Sequence, residues 1–566
     1  MDNTSKYIEL AKLIFPEVDI TVQELEKKFP ERKLEDGAYV TRFAPSPTGF
    51  LHIGALITSL VDKTLAKATK GVFFLRIEDT DKKREVSGSV EVFTQQLRKF
   101  GLTPDEGVIS EQEEIGEYGP YTQSKRGDIY RACAAYLIQK GLAYPCFCSK
   151  EMMAKTHESQ EANKVVPGYY GIYAKCRNIS IDESIKRVKN GEKYIVRFRS
   201  SGSHMKKTSF IDGARGKIEI AENDQDVVII KADRLPTYHF AHVVDDHFMR
   251  TTHVVRGEEW ISSTPVHLEL FKAMGFTPPT YIHIPLIMIK DGESKRKLSK
   301  RKDKEATVGY FLKAGYPTYS VMEYLRTLAN SDYEMWRNKN KDTNSDEFKF
   351  RLNKMSSAGS LLDIQKLNDI SKEVISRMSS KTVLENVENW TKIYDQQLYS
   401  LLKENEDYSL KIFGLERENV KKIRKDIIKW EDIRPTFFYF FNNLYKDDVE
   451  KKGYEFECVK EPYNAKLKIE KIKEIITEYI KVYEEVEDKN IWFDTMKQTA
   501  QDLGFCTNMK EYKKNPDLYV GSTADFADTI RVAITNRHNT PDIHSIMLLI
   551  GKDTVLNRLK NVIDNI

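Results

Sequence analysis

The chain has 566 residues, more than one hydrophobic core usually organises, so we expect several domains. Hydrophobic residues make up 40% of it and charged residues 31%, proportions that are typical of folded proteins and exclude a mainly disordered chain. The formal net charge of +4 is almost balanced, so composition alone does not indicate a nucleic-acid partner.

The sequence contains no run of about 18 uncharged apolar residues, and its start lacks the basic-then-apolar pattern of an export signal. We therefore expect a cytoplasmic protein with no membrane partner. Six cysteines are too few for a disulfide scaffold in a chain of this length. Cys146 and Cys148 share one short segment, which favours a metal over a redox role.

The first elements in chain order are a helical lead-in and then alternating strands and helices. Residues 1–37 are predicted to be helical, and residues 38–44 and 72–78 have the apolar character of strands. Helix patterns follow these strands over residues 51–70 and 87–100. Strands that alternate with helices indicate a parallel sheet.

A second strand-and-helix region begins near residues 226–230 and 252–256, so residues 127–225 are predicted to be an insertion between two halves of the sheet. The insertion has a strand signal of its own at residues 193–198. After residue 373 strand signals become rare and charged amphipathic segments dominate. The last third is therefore predicted to be all-helical.

Basic residues form two local clusters, at residues 295–302 and 421–425. From its charge pattern alone, the second cluster is more typical of a solvated helix face than of a binding surface. The first cluster contains Lys297 and Lys300, which are point charges suited to a triphosphate.

The loop after the first strand has the residues of a nucleotide-binding turn. Pro45 and Pro47 stiffen it, and Gly49 permits an unusual backbone angle. His52 and Gly54 then open the following helix, whose N-terminus offers unpaired N–H groups to a phosphate. His52 can donate to a phosphoryl oxygen, and Gly54 lets a flat adenosine approach the backbone.

The segment Arg42–Gly54 (RFAPSPTGFLHIG) resembles the first signature of class I aminoacyl-tRNA synthetases, in the form used by glutamyl-tRNA synthetases of the bacterial type. The segment Lys297–Arg301 (KLSKR) resembles the mobile lysine loop of the same family. Ala55 and Leu298 depart from the residues that are common at these positions. Similarity to the family extends over residues 38–566.

The resemblance implies an α/β fold. A Rossmann-type parallel-sheet catalytic core would contain an inserted α+β domain and precede a stem-contact region and an all-α C-terminal anticodon-binding region. The expected divisions are a helical extension (1–37), the core (38–126 and 226–290), the inserted acceptor-binding domain (127–225), the stem-contact region with the lysine loop (291–373) and the anticodon-binding region (374–566).

The activity that the resemblance implies is ATP-dependent conversion of L-glutamate to glutamyl-adenylate and its transfer to the 3′ end of tRNA(Glu), in some organisms also of tRNA(Gln). Activation is an in-line attack of a carboxylate on the α-phosphate, so the site has to position two anions and stabilise phosphoryl charge. Mg2+ would accompany ATP and shield the leaving group. The family is commonly monomeric, so a monomer is expected.

The resemblance also implies roles for the matching residues. Those expected to be catalytic are His52, Lys297 and Lys300. Those expected to bind ATP are Gly54, His52, Glu259, Ser299 and Lys300. Those expected to bind glutamate are Arg42, Ser46, Glu78, Tyr238 and Arg256. Arginine suits the two carboxylates of glutamate and an acidic side chain suits its ammonium group.

Some of these assignments have structural alternatives. Arg42 and Glu78 could instead form an ion pair that braces the sheet edge, and Tyr238 could be a core aromatic residue. Two departures from the family bear on substrate recognition. His242 stands where relatives usually carry asparagine, and Ile57 stands where they commonly carry arginine.

A zinc site is suggested by three cysteines of the insertion. Cys146, Cys148 and Cys176 resemble a Zn2+ knob in some relatives, where three thiolates and one further ligand make a closed tetrahedral site. Tyr173 is the expected fourth ligand, although it lies three rather than four residues before the last cysteine, and His157 is another candidate. The alternative is a group of buried thiols without metal.

Three other functions compete with this interpretation. A truncated relative that glutamylates a modified tRNA base lacks anticodon domains, whereas this chain has a long helical tail. A glutaminyl-tRNA synthetase should have a different first signature and a β-barrel anticodon region. A non-catalytic RNA-binding paralogue should have lost His52, Lys300 or Arg256, yet all three are present.

Overall fold

The computed structural model describes residues 3–83, 85–299, 302–355, 359–418, 420–421, 423–454, 456 and 467–566. The chain forms two compact units, the first comprising Met1–Phe311 and Met322–Ile364, the second Leu312–Val321 and Gln365–Ile566. Within the described ranges, no helix combines the length and apolar character needed to cross a bilayer.

The strands in chain order are β1 Val40–Phe43, β2 Val72–Leu75, β3 Glu106–Val108, β4 Glu114–Ile115, β5 Ala143–Cys146, β6 Ile195–Phe198, β7 Lys207–Asp212, β8 Gly216–Ala221, β9 Val228–Ile230, β10 His253–Gly257, β11 Thr280–Ile284, β12 Ile287–Asp291, β13 Ser294–Lys297 and β14 Ser360–Leu361.

The α-helices of the first two-thirds of the chain are α1 Asn3–Ile14, α2 Val22–Lys28, α3 Ile53–Ala68, α4 Ser89–Lys99, α5 Gly127–Gln139, α6 Lys150–Ala162, α7 Ile181–Lys189, α8 Tyr238–Phe248, α9 Thr264–Met274, α10 Val308–Ala314, α11 Thr318–Ala329, α12 Tyr333–Lys339 and α13 Ile364–Ser376. Those that follow are α14 Ser380–Tyr394, α15 Gln396–Glu404, α16 Glu406–Gly414, α17 Ile433–Phe437, α18 Asn442–Lys452, α19 Ile469–Val482, α20 Lys489–Asp502, α21 Met509–Lys514, α22 Thr523–Thr535, α23 Ile543–Ile550 and α24 Lys552–Asn565.

The first sheet has the order β1-β2-β3-β4, with the first three strands parallel and β4 antiparallel to β3. All four residues of β1 are buried, as expected for a parallel strand covered on both faces. The predicted alternation of strands and helices is confirmed here. α3 and α4 begin two residues later than predicted because His52 and Gly88 are their N-cap residues.

The second sheet has the order β10-β11-β7-β8, in which β10, β11 and β7 are parallel. Its first strand starts beside β1, because the Thr252 N–H donates to the Val40 carbonyl at 3.0 Å and the Val40 N–H donates to Thr252 Oγ1 at 2.8 Å. Arg42 and Arg256 therefore lie toward the carboxyl ends of neighbouring strands, where ligands of parallel sheets bind.

The insertion forms a third sheet, with the order β5-β6-β9 and antiparallel pairing throughout. Residues 226–230 are predicted to return to the parallel sheet, and this prediction is wrong, because β9 pairs with β6 instead. A short apolar run is compatible with any buried strand, so its pattern does not identify the neighbouring strand.

The lysine segment lies on a small sheet of its own. β12 and β13 form an antiparallel hairpin in which Met288 pairs with Lys297, and β14 runs parallel to β12. The Leu298 N–H donates to the Ile287 carbonyl at 3.0 Å and extends the hairpin by one bond. Lys297 is thereby held at the end of a paired strand.

The N-terminal extension consists of two helices rather than one. Pro16 follows the end of α1, and a capping box between Thr21 and Glu24 starts α2. α1 packs against α5 and α7, and Arg32 forms a two-pronged ion pair with Glu106 at 2.8 and 3.0 Å. The extension therefore contacts both the insertion and the parallel sheet.

The second unit contains helices and no strand among its described residues, which confirms the predicted all-helical character. Its helices enclose two hydrophobic clusters, one around Trp430 and Phe437 and the other around Ile475 and Phe526. The described part of the basic cluster at residues 421–425 is not on a helix, contrary to the prediction. Arg424 and Lys425 are paired within the unit, to Asp426 and Glu373 respectively.

Candidate active site

The first unit contains a cavity of about 1070 Å³ above the carboxyl ends of β1, β2 and β10. This volume suits a nucleotide together with a small ligand. The predicted site residues that line it are Arg42, Ser46, His52, Gly54, Glu78, Tyr238, Arg256, Glu259 and Lys297. Ser299 is not among the lining residues, and Lys300 lies outside the described residues.

His52 is the N-cap of α3 and lines the cavity. Its Nδ1 accepts a hydrogen bond from the Gly54 N–H at 2.9 Å, which assigns the proton of a neutral ring to Nε2. A Cβ atom at Gly54 would lie 3.0 Å from His52 Nδ1, so a larger residue would crowd the imidazole. The arrangement provides an N–H donor at the start of a helix, which suits a phosphate oxygen.

The loop between β1 and α3 is held by hydrogen bonds from distant parts of the chain. The Glu78 N–H donates to the Pro45 carbonyl at 3.0 Å, and the Val86 N–H donates to the Pro47 carbonyl at 2.9 Å. Gly49 has φ +100°, which favours glycine, and its N–H donates to Ser89 Oγ at 3.0 Å. The loop is therefore preorganised before any ligand binds.

Arg42 is buried, with an open guanidinium fork. Its Nε donates to the carboxylate of Asp246 at 3.2 and 3.3 Å. Within the described parts of the chain, its two terminal nitrogens have no hydrogen-bond partner. These nitrogens can bind both oxygens of a ligand carboxylate, which is the strongest geometry for this pair.

Asp246, on α8, is the centre of a buried ionic network. Besides Arg42 it binds Arg76 Nη1 at 2.7 Å and His242 Nδ1 at 2.7 Å. Burial would raise the pKa of Asp246, but Arg42, Arg76 and His242 outweigh this and hold it well below the usual value. Asp246 is therefore a permanent anion that orients Arg42.

Glu78 is linked to the same network through Arg76. Arg76 Nη2 donates to Glu78 Oε1 at 3.1 Å, and the guanidinium of Arg76 is fully buried. Burial raises the pKa of Glu78 above its usual value, against the lowering effect of Arg76 and Arg42. The second carboxylate oxygen of Glu78 is left for a ligand cation. Asp246 and Arg76 were not expected from the sequence, where the only signal is a charged residue within each apolar segment.

Arg256 differs from Arg42 because most of its donors are occupied. Its Nε donates to His283 Nε2 at 3.0 Å and its Nη1 donates to His267 Nδ1 at 3.2 Å. Its Nη2 donates to Thr264 Oγ1 at 2.8 Å and weakly to the Trp260 carbonyl at 3.4 Å. One N–H, on Nη1, remains for a ligand in the cavity.

Tyr238 and Trp260 form an aromatic wall of the cavity. Their rings lie 4.3 Å apart between centroids, with an interplanar angle of 34°. The hydroxyl of Tyr238 makes no hydrogen bond to any described residue, and burial raises its pKa, so the phenol stays protonated. It can therefore donate to a ligand oxygen. Ser46 is an exposed residue of the neighbouring loop and also lines the cavity.

The two acidic residues after β10 have different surroundings. Glu258 accepts from the Leu286 N–H at 3.1 Å and from Arg215 at 2.6 Å, so it connects β10 to neighbouring strands. Glu259 lines the cavity, and its Oε1 lies 3.7 Å from Lys297 Nζ. Glu259 and Lys297 are both largely exposed, so their attraction in water is weak and a ligand can displace it.

The segment around Ser299 is anchored to the carboxylate of Asp303. The Ser299 N–H donates to Asp303 Oδ2 at 2.8 Å. Arg296 contacts both oxygens of the same carboxylate at 2.7 Å. The segment that follows Lys297 is thus tied back to Asp303.

The two family departures have clear structural roles. Ile57 is buried on α3 and lines the cavity, where it supplies apolar surface. His242 is fully buried, and its Nε2 lies 3.0 Å from the hydroxyl of Tyr281 while its Nδ1 faces Asp246. Burial lowers the pKa of His242 to about 3, against the opposing effect of Asp246, so the ring is neutral.

The three cysteines of the insertion come together. The Sγ atoms of Cys146, Cys148 and Cys176 all lie within 4.8 Å of one another. The hydroxyl of Tyr169 lies 3.4 Å from the sulfurs of both Cys146 and Cys148. Hydrogen bonding with Cys176 is the main cause that lowers the pKa of Cys146, and the same interaction raises the pKa of Cys176, so the pair shares one proton and favours a single thiolate.

Tyr173, the predicted fourth residue of this group, lies in a short 3₁₀ turn at Gly171–Tyr173, and its ring packs edge-on against that of Tyr170, with the centroids 6.1 Å apart. Among the described residues, the tyrosine hydroxyl that contacts the cysteines is that of Tyr169. Tyr169 is buried beneath the cysteines, where its hydroxyl accepts from the Cys176 N–H at 2.9 Å. His157 is exposed on α6 and does not belong to the group either.

Comparisons with known proteins agree with this architecture. Residues 38–369 match the family "tRNA synthetases class I (E and Q), catalytic domain", and residues 382–563 match the family "Anticodon binding domain". The chain is 48% identical to a glutamate–tRNA ligase of Clostridium beijerinckii, over 97% of this chain and 98% of that protein. It is 42% identical to a glutamate–tRNA ligase of Acetivibrio thermocellus, over 98% of this chain and 100% of that protein. A crystal structure of glutamate-tRNA synthetase from Elizabethkingia anophelis has a TM-score of 0.70 and 26% identity, over 93% of this chain and 100% of that chain.

Proposed function

This chain belongs to the class I tRNA synthetases for glutamate and glutamine, and we propose that it is a glutamyl-tRNA synthetase that uses ATP to activate L-glutamate and transfers it to tRNA. The observation that carries the proposal is one cavity with a phosphate-type donor at His52, an open fork at Arg42 and an acidic group at Glu78. A transferase acting on a modified base is disfavoured, because the match to the anticodon-binding family covers residues 382–563.

ATP is proposed to bind at the N-terminus of α3. Gly54 allows the adenosine to approach, and the Nε2–H of His52 would donate to the charge that builds on the α-phosphate. Lys297 would exchange its weak contact with Glu259 for a phosphate oxygen, and Lys300 is proposed to act with it on the same triphosphate. Mg2+ would accompany ATP, as in this family generally, and shield the pyrophosphate.

Glutamate is proposed to bind between the two arginines. Arg42 would hold one carboxylate through its two terminal nitrogens, and the remaining N–H of Arg256 would donate to the other, with help from the hydroxyl of Tyr238. The free oxygen of Glu78 would accept from the ammonium group. A ligand with two carboxylates and one ammonium group matches this set.

The helical second unit is proposed to bind the anticodon of tRNA(Glu), and tRNA(Gln) is the alternative substrate that parallel charging tests. We further propose a cytoplasmic monomer. The domain divisions predicted from the sequence are retained as a proposal with two changes. The inserted domain extends through β9, which pairs with β6, and β7 and β8 belong to the core, because β7 pairs with β11.

The proposed function is tested by glutamate-dependent exchange of pyrophosphate into ATP, measured with and without tRNA. Exchange that requires tRNA and glutamate would support the proposal, and no exchange with tRNA present would favour a non-catalytic paralogue. Charging of purified tRNA(Glu) and tRNA(Gln) in parallel then determines whether one RNA or both are substrates.

Zn2+ is proposed to bind Cys146, Cys148 and Cys176, with the hydroxyl of Tyr169 near the fourth position. Three sulfurs within 4.8 Å and a lowered pKa at Cys146 fit a metal that prefers thiolates in a tetrahedral site. The metal would hold β5 to the turn before α7.

We predict that the purified chain carries one zinc per molecule and that Cys148→Ser removes it and lowers the melting temperature. Metal analysis and thermal melting measure both effects, with Cys506→Ser, at a buried thiol of the second unit, as the matched control. Tyr169→Phe tests whether the hydroxyl belongs to the site, because its loss should weaken zinc retention against a chelator about 10-fold or more whether it binds the metal or orients the thiolates. Zinc-free protein with unchanged stability would contradict the site.

A further inference from the structure

Arg256 is a buried cation without a buried counter-ion. Its side chain is 5% exposed, yet it forms no ion pair with any carboxylate of the described residues. The groups that contact its guanidinium are neutral. Two imidazoles, one hydroxyl and one carbonyl accept its hydrogen bonds, and the ring of Tyr281 lies 4.4 Å from it. A desolvated charge in this state gains more from an anionic ligand than a charge that is already paired.

The first imidazole, that of His283, is fixed in one tautomer. Because Arg256 Nε is a donor, His283 Nε2 has to accept, and the ring proton is therefore on Nδ1. That Nδ1–H donates to Asp212 Oδ2 at 2.7 Å. Asp212 is itself held by the backbone N–H groups of Ala214 and Arg215, both at 2.9 Å.

The sheet sets up this chain of three residues. Arg256 on β10 pairs in register with His283 on β11, and Asp212 ends the next strand, β7. Burial would raise the pKa of Asp212, but its hydrogen bonds from His283 and the backbone hold it below the usual value. The carboxylate is thus an anion that contacts His283 but not Arg256. It orients the imidazole without neutralising the guanidinium directly.

The second imidazole, that of His267, is held in the same way. Its Nδ1 accepts from Arg256, so its proton is on Nε2, which lies 3.0 Å from His239 Nδ1. Burial lowers the pKa of His267 well below its usual value, so the ring stays neutral and able to accept. Two neutral acceptors therefore fix two different nitrogens of one guanidinium.

We propose that Asp212 and His283 are positioning residues for substrate recognition, which lock the guanidinium of Arg256 in place and leave its charge for a carboxylate of the amino-acid substrate. The inference rests on the proposed function. A fixed guanidinium loses little freedom when the substrate binds, so the lock should act on glutamate binding and not on ATP binding.

The test compares His283→Leu, which removes the acceptor, with His283→Gln, whose side-chain oxygen restores an acceptor close to the position of Nε2. His283→Leu should raise the KM for glutamate about 10- to 100-fold in tRNA-dependent pyrophosphate exchange, with the KM for ATP changed about twofold or less. His283→Gln should recover most of this loss. A purely structural role would change stability and both KM values together.

Asp212→Asn tests whether the carboxylate of Asp212 fixes the tautomer of His283. An amide that donates to His283 Nδ1 would move the ring proton to Nε2, where it faces the Nε–H of Arg256. We expect a rise in the KM for glutamate of about 10-fold or more. Should His283→Leu not fold, Asp212→Asn, which keeps the size of the residue, carries the test.

His253→Asn is the matched control, because His253 lies on the same strand as Arg256 but stacks on Tyr39 and contacts Thr252 instead. Its KM for glutamate should stay unchanged. No exchange in the unaltered chain would overturn the proposed function and this inference with it. Normal exchange in the unaltered chain, with an unchanged glutamate KM in His283→Leu or no recovery in His283→Gln, would overturn this inference alone.

Discussion

The two arginines of the cavity occupy similar positions but have opposite surroundings. Arg42 lies one residue before the end of β1 and is anchored through Nε by the anion Asp246, which leaves its terminal nitrogens open. Arg256 is anchored through Nε and Nη1 by neutral histidines and through Nη2 by Thr264 and Trp260, which leaves one N–H. A charged anchor shares the charge of the arginine, whereas a neutral anchor fixes its direction and leaves the charge for the ligand.

This difference suggests a division of labour in recognising a substrate with two carboxylates. In the proposed complex, Arg42 would supply geometry, because its open fork matches both oxygens of one carboxylate. Arg256 would supply charge, because its single open donor belongs to a buried guanidinium with no ion-pair partner among the described residues. Substitutions that remove the anchor or the guanidinium of each arginine test this difference.

The largest effect is expected from Asp246→Asn, which removes the anion between the buried guanidinium groups of Arg42 and Arg76. Loss of one partner of a buried pair typically costs about 3–5 kcal/mol of unfolding free energy. Urea unfolding measures it, and glutamate use should fall as well. Asp346→Asn, at a half-exposed carboxylate paired with Lys67 and Arg326, is the matched control and should cost about 1 kcal/mol or less. Equal losses in the two variants would contradict the central role of Asp246.

An intermediate effect is expected from replacing each arginine by lysine. Arg42→Lys loses the two-pronged contact, so kcat/KM for glutamate should fall about 100-fold. Arg256→Lys should cost only about 10-fold, because one donor can still be supplied by an ammonium group. The comparison is made at saturating ATP and tRNA. A loss in Arg256→Lys as large as that in Arg42→Lys would show that Arg256 uses more than one donor.

The smallest effect at neutral pH is expected at His242, which lies between the two anchors, with Nδ1 2.7 Å from Asp246 and its ring 4.5 Å from that of His267. Its pKa is lowered to about 3 by burial, below its unfolded value, so the stability it contributes is present above about pH 6.5 and is lost as pH falls toward 3. The slope for one such group is about 1.4 kcal/mol per pH unit.

We therefore expect the unfolding free energy to fall less steeply between pH 6.5 and pH 4 in His242→Asn than in the unaltered chain. The difference in slope should be about 1.4 kcal/mol per pH unit. Urea unfolding at several pH values measures the decline in both proteins. Asparagine is a suitable replacement because its amide stays polar but does not titrate. Identical slopes would mean that the buried ring is not the group that titrates.

Much of the site could be predicted because its residues lie in short continuous segments. Arg42, His52 and Gly54 share one strand, loop and helix start, and the structure brings all three to the cavity. The cysteine group is an example of the opposite kind, because the folding of the insertion brings the hydroxyl of Tyr169 beside two of the sulfurs. Spacing along the chain does not specify which tyrosine takes that place.

By itself, the sequence determined the alternation of strands and helices, the all-helical tail and the segments that supply the cavity, because these depend on local periodicity and turn residues. Only the tertiary structure decided which groups hold them. Asp246 meets Arg42 across 204 positions of the chain, and Asp212 meets His283 across 71. Contacts between such distant residues follow from strand order and helix packing, and no local pattern records them.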